Sequence, residues 1–288
     1  MLGQVLIPLL ISNNHTITAL SRSPNSDAKL VSWGAVPVRG DVLSLDVLRQ
    51  SARETDATIH AAFGDFKGFE EYKKVCEQDR EAISAMAEGM KGTGKIFIYT
   101  GGTLGNPRGR VLDEEMEKDE SAGPRVHSEA DTFLLAKRKG IHSIVIRLAP
   151  VVHGPGNTRS FVTILRDLAK EKGISGYVEG DYRWSAVHVN DCARLYLAAL
   201  TRPPPPGSAL HAVGEGPVAV KEIAQVIGEG LKLPVKAIPK EEVMGHFGFT
   251  GMVMQMDNPT TWRKTTEWTG WEPREIGLIE DTRAGGYF

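Results

Sequence analysis

Several polar or small residues stand directly after apolar, strand-like runs, where a ligand could meet them. Ser21-Arg22 follows a run ending at Leu20, and Asp41-Val42 follows Ala35 to Arg39 across Gly40. Ala61-Ala62-Phe63 ends the run that begins at Ala57, Thr100 ends the run from Lys95, and Pro150 lies just beyond the run His142 to Arg147. An arginine in such a place can pair with a phosphate, or can be a solvated turn residue. A carboxylate such as Asp41 can accept from a ring amino group, or cap the helix that follows. Ala61 and Ala62 are small enough to let a ligand approach the backbone, though small residues also serve packing in buried strands.

The candidates for proton transfer are scattered. Tyr99 is expected to be buried at a strand end, and His60 to belong to the core. His127 carries no pattern of its own, while His153 and His188 read more readily as packing and structural residues than as catalysts. No cluster has metal-ligand spacing. Cys76 lies in a helical stretch without a visible histidine partner, which argues against a cysteine nucleophile.

The elements that must position these residues follow from the periodicity. Leu2 to Ile11 is a helix stopped at Asn13-Asn14, and His15 to Leu20 is a strand. Helices are expected over 26–33, 43–52, 69–90 and 126–139, the last ended by Gly140. Strands are expected over 35–39, 57–62, 95–100 and 142–147. Strands alternating with helices predict a parallel sheet wound on both faces, with its ligand site at the carboxyl ends of the strands. From residue 151 the pattern loosens into Gly- and Pro-punctuated pieces, with Pro203 to Pro206 an extended linker. The expected organisation is a dinucleotide-binding domain over 1–150 and a smaller α/β substrate lobe over 151–288, with some segments returning to the main sheet. In such a fold Arg22 meets the adenosine ribose, where an arginine suits a 2′-phosphate. NADP is therefore favoured, with NAD as second choice.

Composition narrows the setting. The 288 residues are 41% hydrophobic and 24% charged with a formal net charge of −2, which argues against a general nucleic-acid binder. Two cysteines are too few for a disulfide framework. The apolar opening stretch contains Pro8 and is too short for a membrane span or a signal peptide, so a cytoplasmic protein is expected.

These segments together resemble the extended short-chain dehydrogenase/reductase superfamily, in its NAD(P)-dependent epimerase/dehydratase-like branch. The resemblance is carried by Ala19-Leu20-Ser21-Arg22-Ser23, Gly40-Asp41-Val42, Ile59-His60-Ala61-Ala62 and Ile98-Tyr99-Thr100-Gly101-Gly102-Thr103. It continues through Val145 to Pro150 with Gly154-Pro155-Gly156, then Arg183 to Asp191, then Gly270-Trp271-Glu272-Pro273. It implies a Rossmann-like doubly wound sheet whose opening strand and glycine-rich phosphate turn are represented here only by Leu2 and Gly3. A start codon assigned too late would account for this, and a genuinely short chain should bind cofactor weakly.

The family's catalytic Tyr-x-x-x-Lys does not occur. Counting back from Glu129, which resembles the acidic residue that follows that motif, places Ser121 at the tyrosine position and Arg125 at the lysine. The family's loop hydroxyl falls near Gly102 or on Thr103. Arg125 keeps the charge but cannot act as a base near neutrality. Two functions are consistent with these substitutions. One is an NAD(P)-dependent oxidoreductase or epimerase/dehydratase-like enzyme acting on a small carbonyl or hydroxyl substrate. The other is a non-catalytic dinucleotide-binding regulator or sensor. The long helices at 69–90 and 126–139 could supply the homodimer face that the family often uses.

Overall fold

A left-handed residue closes the first helix. In the computed structural model, which describes residues 2–105, 110–118, 123–156, 160–284 and 286–288, α1 (Leu2–Ser12) buries Leu6, Ile7 and Leu10 and turns Pro8 to solvent. Asn14 then takes φ 64°, and the His15 amide donates back to the Leu10 carbonyl at 3.1 Å. That closure consumes the residues expected to open the next strand, so β1 spans Thr18–Ser21 instead of starting at His15.

The alternation continues with α2 (Pro24–Ser32), β2 (Val36–Arg39), α3 (Leu45–Glu54), β3 (Ala57–His60), α4 (Phe69–Met90), β4 (Ile96–Gly102), α5 (Val126–Lys139) and β5 (His142–Leu148). Helix α2 starts where Ser23 accepts from the Ser26 amide and Pro24 fills the first turn. Helix α3 starts at Leu45 instead of Leu43 because a turn comes first. The Ser44 amide donates to the Asp41 carbonyl at 3.1 Å, and the Leu43 amide to Asp41 Oδ1 at 2.9 Å. Helix α5 stops at Gly140, whose φ of 61° suits a residue without a Cβ.

Strands β3, β4 and β5 pair in parallel with β9 (Ser208–Ala212) in the order β3-β4-β5-β9, so a segment from the second half of the chain completes this sheet. Its two faces are covered separately, as alternation along β4 dictates. Ile98 packs with Leu6 and Leu10 of α1 and with Cys192 and Tyr196 of α7 (Val189–Thr201). Phe97 and Tyr99 pack on the other side with Leu48, Ala52, Ile83, Met86 and Met90 of α3 and α4. There α3 and α4 approach so closely that a Cβ on Gly89 would lie 2.2 Å from the Arg49 carbonyl oxygen. Strands β1 and β2 form a separate parallel pair with Thr18 opposite Val36 and Ser21 opposite Arg39. Among the described residues no strand pairing joins them to β3.

The remaining elements are β6 (Val151–His153), α6 (Phe161–Lys172), β7 (Ser175–Val178), β8 (Arg183–His188), β10 (Glu215–Ala219), α8 (Val220–Leu231) and β11 (Val235–Ile238). Four short helices follow: α9 (Val243–Phe247), α10 (Gly251–Met254), α11 (Arg263–Thr269) and α12 (Leu278–Ala284). Strands β10-β8-β6 form one small sheet and β11-β7 another. They share a second core around Val162, Trp184, Ile223, Ile227, Val243 and Phe247. The Gly270 to Pro273 segment docks on the start of α7. Trp271 Nε1 donates to the Asp191 carbonyl at 2.9 Å, and the Asp191 carboxylate accepts from the Arg274 and Glu275 amides at 2.9 and 3.0 Å. No helix of the described residues is long and apolar enough to cross a membrane.

Candidate active site

The residues singled out for cofactor binding lie at the carboxyl ends of their strands or in the opening helix. Arg22, just after β1, is exposed and has no hydrogen-bond partner among the described residues. Its neighbour Ser21 is buried and donates to the Ser23 carbonyl at 3.2 Å. The nearby acid Asp27 is paired with Arg39, so its charge does not oppose an anion at Arg22. Asp41 uses Oδ1 on the Leu43 amide and the Ser44 hydroxyl, and Val42 beside it is half-buried. It thus closes the turn before α3, whose N-cap is Ser44. Ala61 and Ala62 are exposed after β3, with Phe63 half-buried beyond them, and Pro150 is half-buried after β5. Gly3 sits in the first turn of α1, and its neighbour Gln4 reaches the Gly156 carbonyl at 3.5 Å. The start of α1 and the Gly154-Pro155-Gly156 turn therefore lie together.

Arg125, at the cap of α5, is held on three sides. Its Nε donates to the Tyr99 hydroxyl at 3.1 Å, its Nη2 to the Thr100 carbonyl at 2.6 Å, and its guanidinium lies over the Phe63 ring at 4.2 Å. Tyr99 in turn donates to Asp79 Oδ2 at 2.9 Å, and His60 Nε2 meets Asp79 Oδ1 at 2.8 Å. Burial alone would raise the Asp79 pKa. The His60 bond and charge, with Arg125 adding to them, hold it below the ordinary carboxylate value instead. Burial pushes the Tyr99 phenol well up, against the pull of Arg125, so it is a poor proton donor near neutrality. Thr100 Oγ1 is bonded to the Tyr196 hydroxyl at 2.7 Å. Asp79 was not among the sequence candidates, yet a signal was present. It stands on the buried stripe Cys76, Asp79, Ile83, Met86, Met90 of α4, where an acid needs a partner.

A second polar network runs beneath the end of β4. Arg147 donates from Nε and Nη2 to Glu129 Oε1 at 2.9 and 2.6 Å and from Nη2 to the Met116 carbonyl at 2.9 Å. Lys118 Nζ, with its side chain 8% exposed, donates to the Gly102 carbonyl at 2.5 Å and lies 3.2 Å from Glu129 Oε2. Burial lowers the Lys118 pKa, and Glu129 counters part of that effect. His211 accepts from Arg147 Nη1 at 3.2 Å on Nε2, so its Nδ1 carries the proton toward the Thr261 carbonyl at 2.7 Å. Burial and the Arg147 charge push His211 down to about 3, which keeps it neutral. Glu114 extends the network by accepting from the Thr265 amide and hydroxyl at 2.7 and 2.8 Å.

Thr103 is fully buried. Its hydroxyl donates to the Leu148 carbonyl at 3.2 Å and to Asn258 Oδ1 at 3.1 Å, while Asn258 Nδ2 returns a bond to the Thr103 carbonyl at 2.9 Å. The loop hydroxyl thus ties Asn258 to the end of β5, and it does not face open space. Ser121 lies outside the described residues. His153 is bonded as well as packed: its Nδ1 meets Asp281 at 2.9 Å, and Tyr287 donates to the same carboxylate at 2.8 Å. His188 caps α7 by accepting from the Asn190 amide at 3.2 Å. His127 is half-buried. Cys76 is buried, and desolvation raises its thiol to about 11. Among the described residues no three His, Cys, Asp or Glu side chains gather as a metal site would need.

Over residues 1–209 the sequence matches the NAD dependent epimerase/dehydratase family. It is 39% identical over 287 residues to an uncharacterized protein of Saccharomyces cerevisiae, covering 98% of this chain and 95% of that one. The 4-hydroxy-2-methyl-3-oxo-4-farnesyl-3,4-dihydroquinoline-1-oxide ketoreductase of Stigmatella aurantiaca is 25% identical, over 83% of this chain and 73% of its own. Among solved structures, UDP-glucuronic acid 4-epimerase from Bacillus cereus, in complex with UDP-glucuronic acid and NAD, is similar with a TM-score of 0.77 at 14% identity. That likeness covers 99% of this chain and 94% of the epimerase, and it concerns the fold. With its parallel sheet and this match over most of its length, the chain belongs to the NAD dependent epimerase/dehydratase family.

Proposed function

We propose that this chain is an NADP-preferring oxidoreductase that acts on a small carbonyl substrate bound between the β3–β5 edge and residues 151–288. The observation that carries the cofactor choice is Arg22, an exposed guanidinium without a partner among the described residues, flanked by hydroxyls and not by free carboxylates. The residues present suit the two ends of a dinucleotide, while its pyrophosphate would meet only Gly3 of the usual turn: Arg22 for a 2′-phosphate, Asp41 and Val42 beside the adenine, Ala61 and Ala62 as a flat floor, and Thr100 and Pro150 toward the nicotinamide. Bound there, the cofactor supplies or accepts a hydride. Arg125 keeps a fixed positive charge at the end of β4, where it can stabilise an oxygen that gains negative charge. The name of the Stigmatella aurantiaca ketoreductase supports a carbonyl as the reacting group.

A non-catalytic sensor is the second reading, favoured by the Thr103 hydroxyl being engaged in structure and the Tyr99 phenol being a weak acid. Titration with NADPH and NADH separates the cofactor claim from the catalytic one. NADPH should bind at least about tenfold tighter than NADH, and Arg22→Ser should erase that difference while leaving NADH unchanged. Equal affinities in the unmodified chain would overturn the NADP assignment. Turnover of NADPH across a carbonyl panel, reduced in Arg125→Ala, would exclude the pure sensor, and its complete absence would establish it.

A further inference from the structure

Five aromatic rings stand together beside the Arg125 site and belong to none of the hydrophobic cores. Phe63, Phe66, Phe69 and Tyr72 come from the segment between β3 and the first turn of α4, and Phe249 comes from the stretch between α9 and α10. Phe66 is the hub. Its centroid lies 4.9 Å from Tyr72, 5.8 Å from Phe249 at an interplanar angle of 79°, and 6.2 Å from Phe63 at 84°. Tyr72 is 6.2 Å from Phe63, 6.5 Å from Phe69 and 6.5 Å from Phe249. Such tilted and edge-to-face pairs are favourable in themselves, but the rings remain half-buried and Phe69 is 44% exposed. Single exposed rings are ordinary on a protein surface, whereas a contiguous group of them marks a binding surface.

Position and chemistry together define what this surface suits. The wall begins at Phe63, immediately after the exposed Ala61-Ala62 floor, and Phe63 carries the Arg125 guanidinium on its face at 4.2 Å. It ends on Phe249, so both halves of the chain contribute to it. Arg125, next to the rings, spends Nε on Tyr99 and Nη2 on Thr100. A sugar brings several hydroxyls that each need a partner, and each one buried without a bond is costly. A flat apolar ring needs no such partners and can stack in the offset or edge-on geometry that the cluster already uses.

We propose that Phe63, Phe66, Tyr72 and Phe249 form the ring subsite of the substrate, and that the substrate class is a planar aromatic ketone or aldehyde, not a nucleotide sugar. This rests on the reading of the site as a carbonyl-reducing one, and the test keeps the two apart. Binding of 2-acetonaphthone, cyclohexyl methyl ketone, UDP-glucose and NADPH is measured on the unmodified chain and on Phe66→Ala, Phe249→Ala and Phe66→Leu. The naphthyl ketone should bind at least about tenfold tighter than the cyclohexyl ketone, and both alanine variants should weaken it about tenfold. Phe66→Leu, which keeps apolar bulk without a ring, should show an intermediate loss, and NADPH affinity should stay unchanged throughout. Naphthyl ketone binding that is absent, or unmoved by both alanine variants, would overturn the ring subsite, as would tight binding of UDP-glucose. Ring binding without NADPH binding would overturn the cofactor reading and leave the subsite standing, and NADPH binding without ring binding would do the reverse.

Discussion

Replacing Glu129 with alanine should lower the unfolding free energy by about 4 kcal/mol, measured by urea titration at pH 7. The carboxylate lies between two cations that water hardly reaches, Arg147 with its side chain 1% exposed and Lys118 at 8%. Most of the loss comes from the charges left without a counterion, not from the net worth of the pair. The two cations should respond differently. Lys118, whose pKa burial already lowers, can shed its proton and limit its share of the cost. Arg147 cannot. Removing both partners in Glu129→Leu/Arg147→Met should therefore recover a good part of the stability. A single-variant loss under about 1 kcal/mol, within the range of surface pairs, would show that the network is solvated after all.

The second large effect is expected at Asp79. Asp79→Ala strands the Tyr99 hydroxyl and His60 Nε2 in the core and should cost about 3 kcal/mol. Its pH dependence follows from the direction of the shift. The folded pKa of Asp79 lies below its unfolded value near ~3.9. Its contribution is therefore complete above that value and fades as pH falls through the folded pKa. The gap between the unmodified chain and the variant should stay constant from about pH 7 to about pH 5 and narrow below about pH 4. A gap that widens on acidification would mean that Asp79 is protonated in the native state. Asp79→Asn, whose amide can still accept from Tyr99, should lose less than Asp79→Ala.

Much of this fold is legible in the sequence because its signals are local. Helices α4 and α5 follow from apolar spacing, and Gly140 stops α5. The buried strands β4 and β5 follow from unbroken apolar runs. Boundaries shift where side chains and turns intervene, as Asn14 does before β1 and Asp41 before α3. The site is less legible because its decisive contacts join residues far apart in the chain. Thr103 looks like a free loop hydroxyl until Asn258, 155 positions later, takes it. Glu114 stands among Asp113, Glu115 and Glu117 with nothing local to mark it, yet it accepts from Thr265, 151 positions away. Arg125 could be placed by its spacing from Glu129, but nothing local shows that its guanidinium is tied to Tyr99 and Thr100. The aromatic wall is half legible. Phe63, Phe66, Phe69 and Tyr72 recur at helix-like intervals in the sequence, whereas Phe249 joins them only through the fold.

The separate β1–β2 pair bears on how the native state breathes. Its ladder is short, and the described residues link it to the rest of the molecule through side chains: Ile17, Ala19 and Leu30 against α1, and Leu20 against the α3–α4 side. Opening it breaks no hydrogen bond of the β3-β4-β5-β9 sheet, so residues 18–39 can unfold as a unit at less than the global free energy. Native-state amide exchange should show the β1 and β2 amides exchanging together, well before those of β4 and β5. Equal protection across all of these strands would mean that the molecule opens only as a whole. If the pair does open by itself, the adenosine end of the proposed cofactor site is its least rigid part, and a bound dinucleotide should slow exchange at β1 and β2 more than at β4 and β5.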